Sequence, residues 1–133
     1  MINVLLVDDY PIMRQLLRDI LARYPDVCIV GEAQTGEEAI ALSTKLQPTV
    51  VIIDINLPTI TGTEATTLIK LQSPCTTIIG LTAGSPGHTE AAMRDAGAKT
   101  VLSKGDVVNA LYPTIVESLR SSPSSSATLI TLQ

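Results

Sequence analysis

A doubly wound α/β domain, built on a five-stranded parallel sheet with helices on both faces, is the fold class this sequence predicts. Two observations carry it. Short aliphatic runs without polar alternation recur along the chain, and strands buried on both faces read in that way. These runs alternate five times with segments whose apolar residues fall at helical spacing, and βα units joined by short connections give a parallel sheet with right-handed crossovers. The 133 residues suit one domain. With no Phe or Trp and three Tyr, its core has to be made of Ile, Val, Leu and Ala.

The elements follow in order. Ile2–Val7 is an aliphatic strand. Residues 11–24 read as a helix: Ile12, Leu16, Ile20 and Met13, Leu17, Leu21, Tyr24 recur at helical spacing, while Arg14, Arg18 and Arg23 are expected to face outward. Pro11 suits a first turn and Pro25 stops the helix. Val27–Ala33 is a second strand. Residues 37–46 form a helix with Glu37 and Glu38 in its first turn, where the helix dipole favours negative charge. Pro48 ends it.

Residues 50–53 are the most apolar strand and therefore central. A turn over 57–62 leads to a helix over 63–72, and Pro74 precedes a fourth strand over 76–81. Residues 86–96 make a helix of small residues closed by Gly97. A short strand over 99–102 comes next. The last helix carries Val108, Leu111, Ile115 and Leu119 on one face. Pro113 conflicts with it, removing a donor and crowding the preceding turn, so that helix is expected to start late or with a distorted first turn.

Four aliphatic runs end in polar residues: Asp8-Asp9 after the first strand, Asp54 after the third, Thr82 after the fourth and Lys104 after the fifth. In open α/β sheets, ligands bind beyond the carboxyl ends of the strands, so these residues are expected along one edge. Carboxylates about 5 Å apart repel by roughly 3 kcal/mol at an effective dielectric near 20. Raised carboxyl pKa values or a bound cation relieve that repulsion, and an all-oxygen donor set suits Mg²⁺. An aspartate can also be the nucleophile of phosphoryl transfer, with Lys104 and Thr82 stabilising the oxygens of the transferring group.

Asp8-Asp9-Tyr10-Pro11, Asp54-Ile55-Asn56-Leu57-Pro58 followed by Gly62, Thr82-Ala83, and Gly97-Ala98 leading to Lys104 each mean little alone. In this order, at strand ends, the set resembles the receiver domain of bacterial two-component response regulators, over residues 1–119, and most those with a LuxR-type helix-turn-helix output domain. The resemblance implies a flavodoxin-like sheet of strand order 2-1-3-4-5. It implies that Asp54 accepts a phosphoryl group from a sensor histidine kinase and that Asp8, Asp9, Asp54 and the Asn56 carbonyl hold Mg²⁺. Thr82 and Lys104 would contact the phosphoryl oxygens. The chain would then be a cytoplasmic phosphoacceptor rather than an enzyme acting on other substrates. Phosphorylation would bias two conformations of the loops after Asp54, Thr82 and Lys104. The surface of the fourth helix, fifth strand and fifth helix would pass the change to an output domain or drive homodimerisation.

One position departs from the family. Where the family carries Tyr or Phe, three residues before the lysine, this chain has Val101, which is stiff at χ1 and has no polar tip. Gly84, two beyond the threonine, offers no side chain to position or block an attacking water. The rival readings are a degenerate receiver acting without phosphorylation, supported by Val101, and an aspartate-nucleophile phosphohydrolase of haloacid dehalogenase type. The latter needs Asp-x-Asp after the first strand, where the sequence reads Asp8-Asp9-Tyr10. A nucleotide-binding protein fails because no Gly-rich phosphate loop follows any strand.

Composition bounds the remainder. Net charge is −4 with scattered Lys and Arg, which argues against direct nucleic-acid binding by this chain. No apolar stretch is long enough to span a bilayer and the first residues do not resemble a secretory signal. Cys28 and Cys75 are expected as buried reduced thiols and His88 as a surface residue. Residues 120–133 read as a Ser-rich linker or tail, which suggests a missing C-terminal DNA-binding output domain.

Overall fold

The computed structural model describes residues 1–120. The Ser-rich segment expected over 121–133, and the side chain of His88, lie outside the described residues. The elements are β1 (Ile2–Val7), α1 (Pro11–Leu21), β2 (Val27–Ala33), α2 (Gly36–Leu46), β3 (Val50–Asp54), α3 (Gly62–Gln72), β4 (Thr77–Thr82), α4 (Gly87–Ala96), β5 (Thr100–Ser103) and α5 (Val107–Arg120). All strand pairs are parallel and the order is β2-β1-β3-β4-β5, as the resemblance implied. β3 lies at the centre and is buried throughout, which is why it needs no polar alternation.

Alternate residues of each strand feed two cores. Leu5, Val7, Val51 and Ile53 face α2, α3 and α4 through Ala39, Ala65, Ile69 and Met93. Val4, Leu6, Val50 and Ile52 face α1 and α5 through Leu17, Ile20, Leu111 and Ile115. The chain leaves β1 for β2 on one side and returns to β3 on the other, so the strand order reverses between β1 and β3. In sheets of this kind the carboxyl ends of the strands flanking that reversal are the usual place for a ligand. Among the described residues, no helix is long and apolar enough to cross a membrane.

Five expectations need correction. The first helix ends at Leu21, and Tyr24 lies beyond it, stacked on Tyr112 with ring centroids 3.7 Å apart. The inward face of α1 is Leu17, Ile20 and Leu21; Ile12 is 85% exposed, because the first turn stands at the rim of the sheet beside Ala83 and Lys104. In α5 the buried row starts at Val107 rather than the exposed Val108. Pro113 sits inside α5, and the irregular turn precedes the helix as a 3₁₀ segment, Lys104–Asp106. Pro113 and Asn109 are both exposed, so water can serve the Asn109 carbonyl that loses its intrahelical donor. Cys28 and Cys75 are exposed free thiols, Cys28 on the edge strand β2 and Cys75 in the turn before β4.

Candidate functional site

β1 and β3 end alike. Asp8 Oδ1 accepts the Tyr10 amide at 2.9 Å, and Asp54 Oδ1 accepts the Asn56 amide at 2.9 Å. In each case a short carboxylate side chain turns back on the backbone two residues ahead, which redirects the chain out of the strand. The second oxygens of both residues point to one cation. Lys104 Nζ lies 2.9 Å from Asp8 Oδ2 and 2.9 Å from Asp54 Oδ2. The 3₁₀ turn starting at Lys104, secured by the Ser103 hydroxyl accepting the Gly105 amide, holds the root of this side chain at the end of β5.

Asp8 is completely buried and Asp54 is 3% exposed, so their charges are costly unless paired. Burial pushes the Asp54 carboxyl up, and the Asp8 charge adds to the rise; the Lys104 ammonium and the Asn56 amide oppose it without cancelling it. For Lys104, burial alone would lower the pKa, yet the bonds and charges of Asp54 and Asp8 outweigh it and the ammonium titrates higher than usual.

Asp9 completes the cluster. Asp8, Asp9 and Asp54 each offer a carboxylate oxygen within 4.8 Å of the others. Asp9 Oδ1 is buried with no hydrogen-bond partner among the described residues. A bare carboxylate oxygen held beside two others costs free energy unless a cation arrives. The donor set is all oxygen, so the residues fit Mg²⁺.

The remaining site residues take their places through the sheet. Asp54 pairs in register with Leu81, which puts Thr82 one step further along the same edge, and Thr82 pairs with Ser103, next to Lys104. Thr82 is buried and Asn56 is exposed. The structure thus brings Asp8, Asp9, Asp54 and Lys104 into one cluster, ties Asn56 to it through its amide, and sets Thr82 at the adjoining strand end.

Two features escaped sequence reasoning. Tyr10 stands with its ring 5.6 Å from Lys104 Nζ, and together with Ile12, Met13, Leu16 and Ala83 it forms an apolar rim beside the charged cluster. Arg14 does not simply face outward: its side chain is 12% exposed and bonded to Glu32 and to the Asp8 carbonyl. Their only sequence signal was Arg14 on the charged face of the first helix and Glu32 late in the second strand, and neither announces the other.

Comparison with known proteins agrees with this geometry. A family model described as the response regulator receiver domain matches residues 4–115. A protein-glutamate methylesterase/protein-glutamine glutaminase of Methanospirillum hungatei is 38% identical over 106 residues, covering 78% of this chain but only 30% of that protein. The chain therefore spans about a third of the length of such curated relatives. Among solved structures, the response regulator domain of Thermotoga maritima CheB superposes with a TM-score of 0.85 at 28% identity, covering 92% of this chain and 99% of that one. A LuxR-family two-component response regulator from Aurantimonas sp. SI85-9A1 superposes with a TM-score of 0.77 at 28% identity, covering 86% and 85%.

Proposed function

Since the chain belongs to the response regulator receiver domain family, we propose that it is a phosphorylation-switched receiver whose phosphoacceptor is Asp54. The observation that carries this reading is the Lys104 ammonium held 2.9 Å from both Asp54 Oδ2 and Asp8 Oδ2 at the carboxyl edge of the sheet. Asp54 is oriented by two donors, the Asn56 amide on Oδ1 and Lys104 on Oδ2. An Asp54 oxygen attacks the phosphorus of a phosphohistidine. The P–N bond breaks, its electron pair returns to the imidazole, and an acyl phosphate forms on Asp54. Lys104 then trades a carboxylate oxygen for a phosphoryl oxygen, and the Thr82 hydroxyl is drawn from the adjoining strand end toward another.

Asp8, Asp9 and Asp54, with the Asn56 carbonyl, are the proposed Mg²⁺ ligands. When bound, the cation neutralises charge on the phosphoryl oxygens. The buried bare oxygen of Asp9 supports this set. The apolar rim of Tyr10, Ile12, Met13 and Leu16 is the proposed landing surface for a sensor histidine kinase, since it borders the cluster without closing over it. The output surface is assigned to α4, β5 and α5. Likeness to a LuxR-family regulator supports the LuxR-type reading of the output domain; a DNA-binding output, a cytoplasmic setting and a phosphorylation-dependent homodimer are further parts of the proposal.

The test is phosphorylation by acetyl phosphate with Mg²⁺, read by intact mass, beside Asp54→Ala. One added phosphoryl group on the unmutated chain and none on the variant is the expected result. No Mg²⁺-dependent adduct on the unmutated chain sinks the assignment.

A further inference from the structure

We infer that Arg14 and Glu32 are positioning residues for the acidic pair, fixing the peptide that joins Asp8 to Asp9 and thereby the affinity of the site for a divalent cation. The inference rests on the metal-site reading above and adds two residues that touch neither metal nor phosphate.

The geometry is a closed ring of bonds. The Asp8 amide donates to the Ala33 carbonyl on β2 at 3.1 Å. Glu32 precedes Ala33 in that strand, and its Oε1 accepts Arg14 Nε at 2.9 Å. Arg14 Nη1 then donates to the Asp8 carbonyl at 2.6 Å, which returns the ring to its start. The carbonyl so held belongs to the peptide plane between Asp8 and Asp9. With the Asp8 amide, carbonyl and side-chain Oδ1 all bonded, the rotation that would swing Asp9 away from Asp54 is blocked.

α1 has Tyr10 at its N-cap with no side-chain capping bond, and Pro11 contributes no amide donor. Arg18 binds the other oxygen of Glu32 and so keeps that carboxylate oriented, but its guanidinium bonds to Glu32 and Gln15 rather than to Asp8. Only a guanidinium can serve Glu32 through Nε and the Asp8 carbonyl through Nη1 at once; a lysine has one nitrogen to share. Partners that orient metal ligands typically change affinity 10- to 100-fold when replaced.

The experiment is Mg²⁺ titration by calorimetry on the unmutated chain, Arg14→Lys, Glu32→Gln and Arg18→Lys, with amide hydrogen exchange at Asp9 and Tyr10 measured without metal. Arg14→Lys should weaken Mg²⁺ binding about tenfold and speed exchange at both amides, with Glu32→Gln in the same direction. Arg18→Lys should stay within about twofold, which separates positioning from general loss of a helix–sheet ion pair. If Arg14→Lys unfolds, Glu32→Gln carries the comparison. Unchanged Mg²⁺ affinity in folded Arg14→Lys and Glu32→Gln overturns the proposal alone. Failure of the unmutated chain to bind Mg²⁺ overturns the metal site and this proposal together.

Discussion

The backbone of Gly62 lies against the carbonyl of Asp54, so close that a Cβ on Gly62 would stand 2.2 Å from that oxygen. The Gly62 amide donates to the Ile55 carbonyl at 2.7 Å, and Thr61 and Glu64 form a capping box around the same helix start. The glycine spacing read in the sequence therefore has a local cause: α3 begins directly on the peptide that carries Asp54, the proposed phosphoacceptor.

Gly62→Ala should displace that peptide, because the backbone atoms of Asp54 and Ile55 leave no room for a methyl group. A loss of about 1–3 kcal/mol in urea unfolding is expected, with slower phosphorylation by acetyl phosphate. Unchanged stability together with unchanged rate would show that the loop gives way freely.

The raised Asp54 carboxyl has a definite sign. Its protonated form is favoured by folding, so its contribution to stability is present below the ordinary value of 3.8 and is lost as pH rises through the raised folded value. Asp54→Asn should therefore be more stable than the unmutated chain near pH 7 without Mg²⁺, the gain vanishing toward acid pH. A variant less stable at pH 7 contradicts the burial argument.

Lys104 has the opposite role. Its ammonium is favoured by folding, so its contribution is present below 10.5 and is lost only as pH rises through the still higher folded value. Lys104→Met leaves Asp8 and Asp54 buried and unpaired, and about 3–5 kcal/mol of stability should disappear near neutral pH. Denaturant midpoints with and without Mg²⁺ provide the check, since the cation should restore part of the loss.

Mg²⁺ itself should stabilise the fold by about 2.7 kcal/mol when present at a hundredfold excess over its dissociation constant. Asp9→Asn should remove most of that increment, as Asp9 holds the bare oxygen. An equal increment in the variant moves the cation elsewhere.

Val101 and Met93 flank Gly80: a Cβ at Gly80 would stand 2.7 Å from Met93 Cε and 3.4 Å from Val101 Cγ2. Val101 is 6% exposed and lies in the same core cluster as Met93, so a larger side chain there would have to displace its neighbours. Val101→Tyr should cost about 1–3 kcal/mol, and Met93→Ala in the same chain should recover part of it. If Val101→Tyr leaves phosphorylation-dependent dimerisation or partner binding unchanged, the missing ring was not limiting for signalling.

Much of this was legible beforehand because strand ends and strand burial are local properties. Aliphatic runs such as 50–53 mark buried strands by themselves, and the residue closing each run is set by chain order. Which face of a helix turns inward is less local. Ile12 and Leu16 share the periodicity of Leu17 and Leu21, but α1 starts at the rim of the sheet and its first apolar residues have no core beneath them. The exposure of Cys28 likewise depends on β2 being an edge strand.

Sequence alone determined the fold class, the strand ends and the chemical types gathered at them: Asp8, Asp9, Asp54, Thr82 and Lys104. Distance, charge state and support were decided by the tertiary structure. Lys104 meets Asp8 and Asp54 across three strands, Arg14 closes a ring through Glu32, and Gly62 presses on Asp54. The first two relationships join residues far apart in the chain, so no short window of sequence contains them, whereas the glycine lies within the same loop as Asp54. They arise only when parallel pairing brings the carboxyl ends of β1, β3, β4 and β5 to one edge.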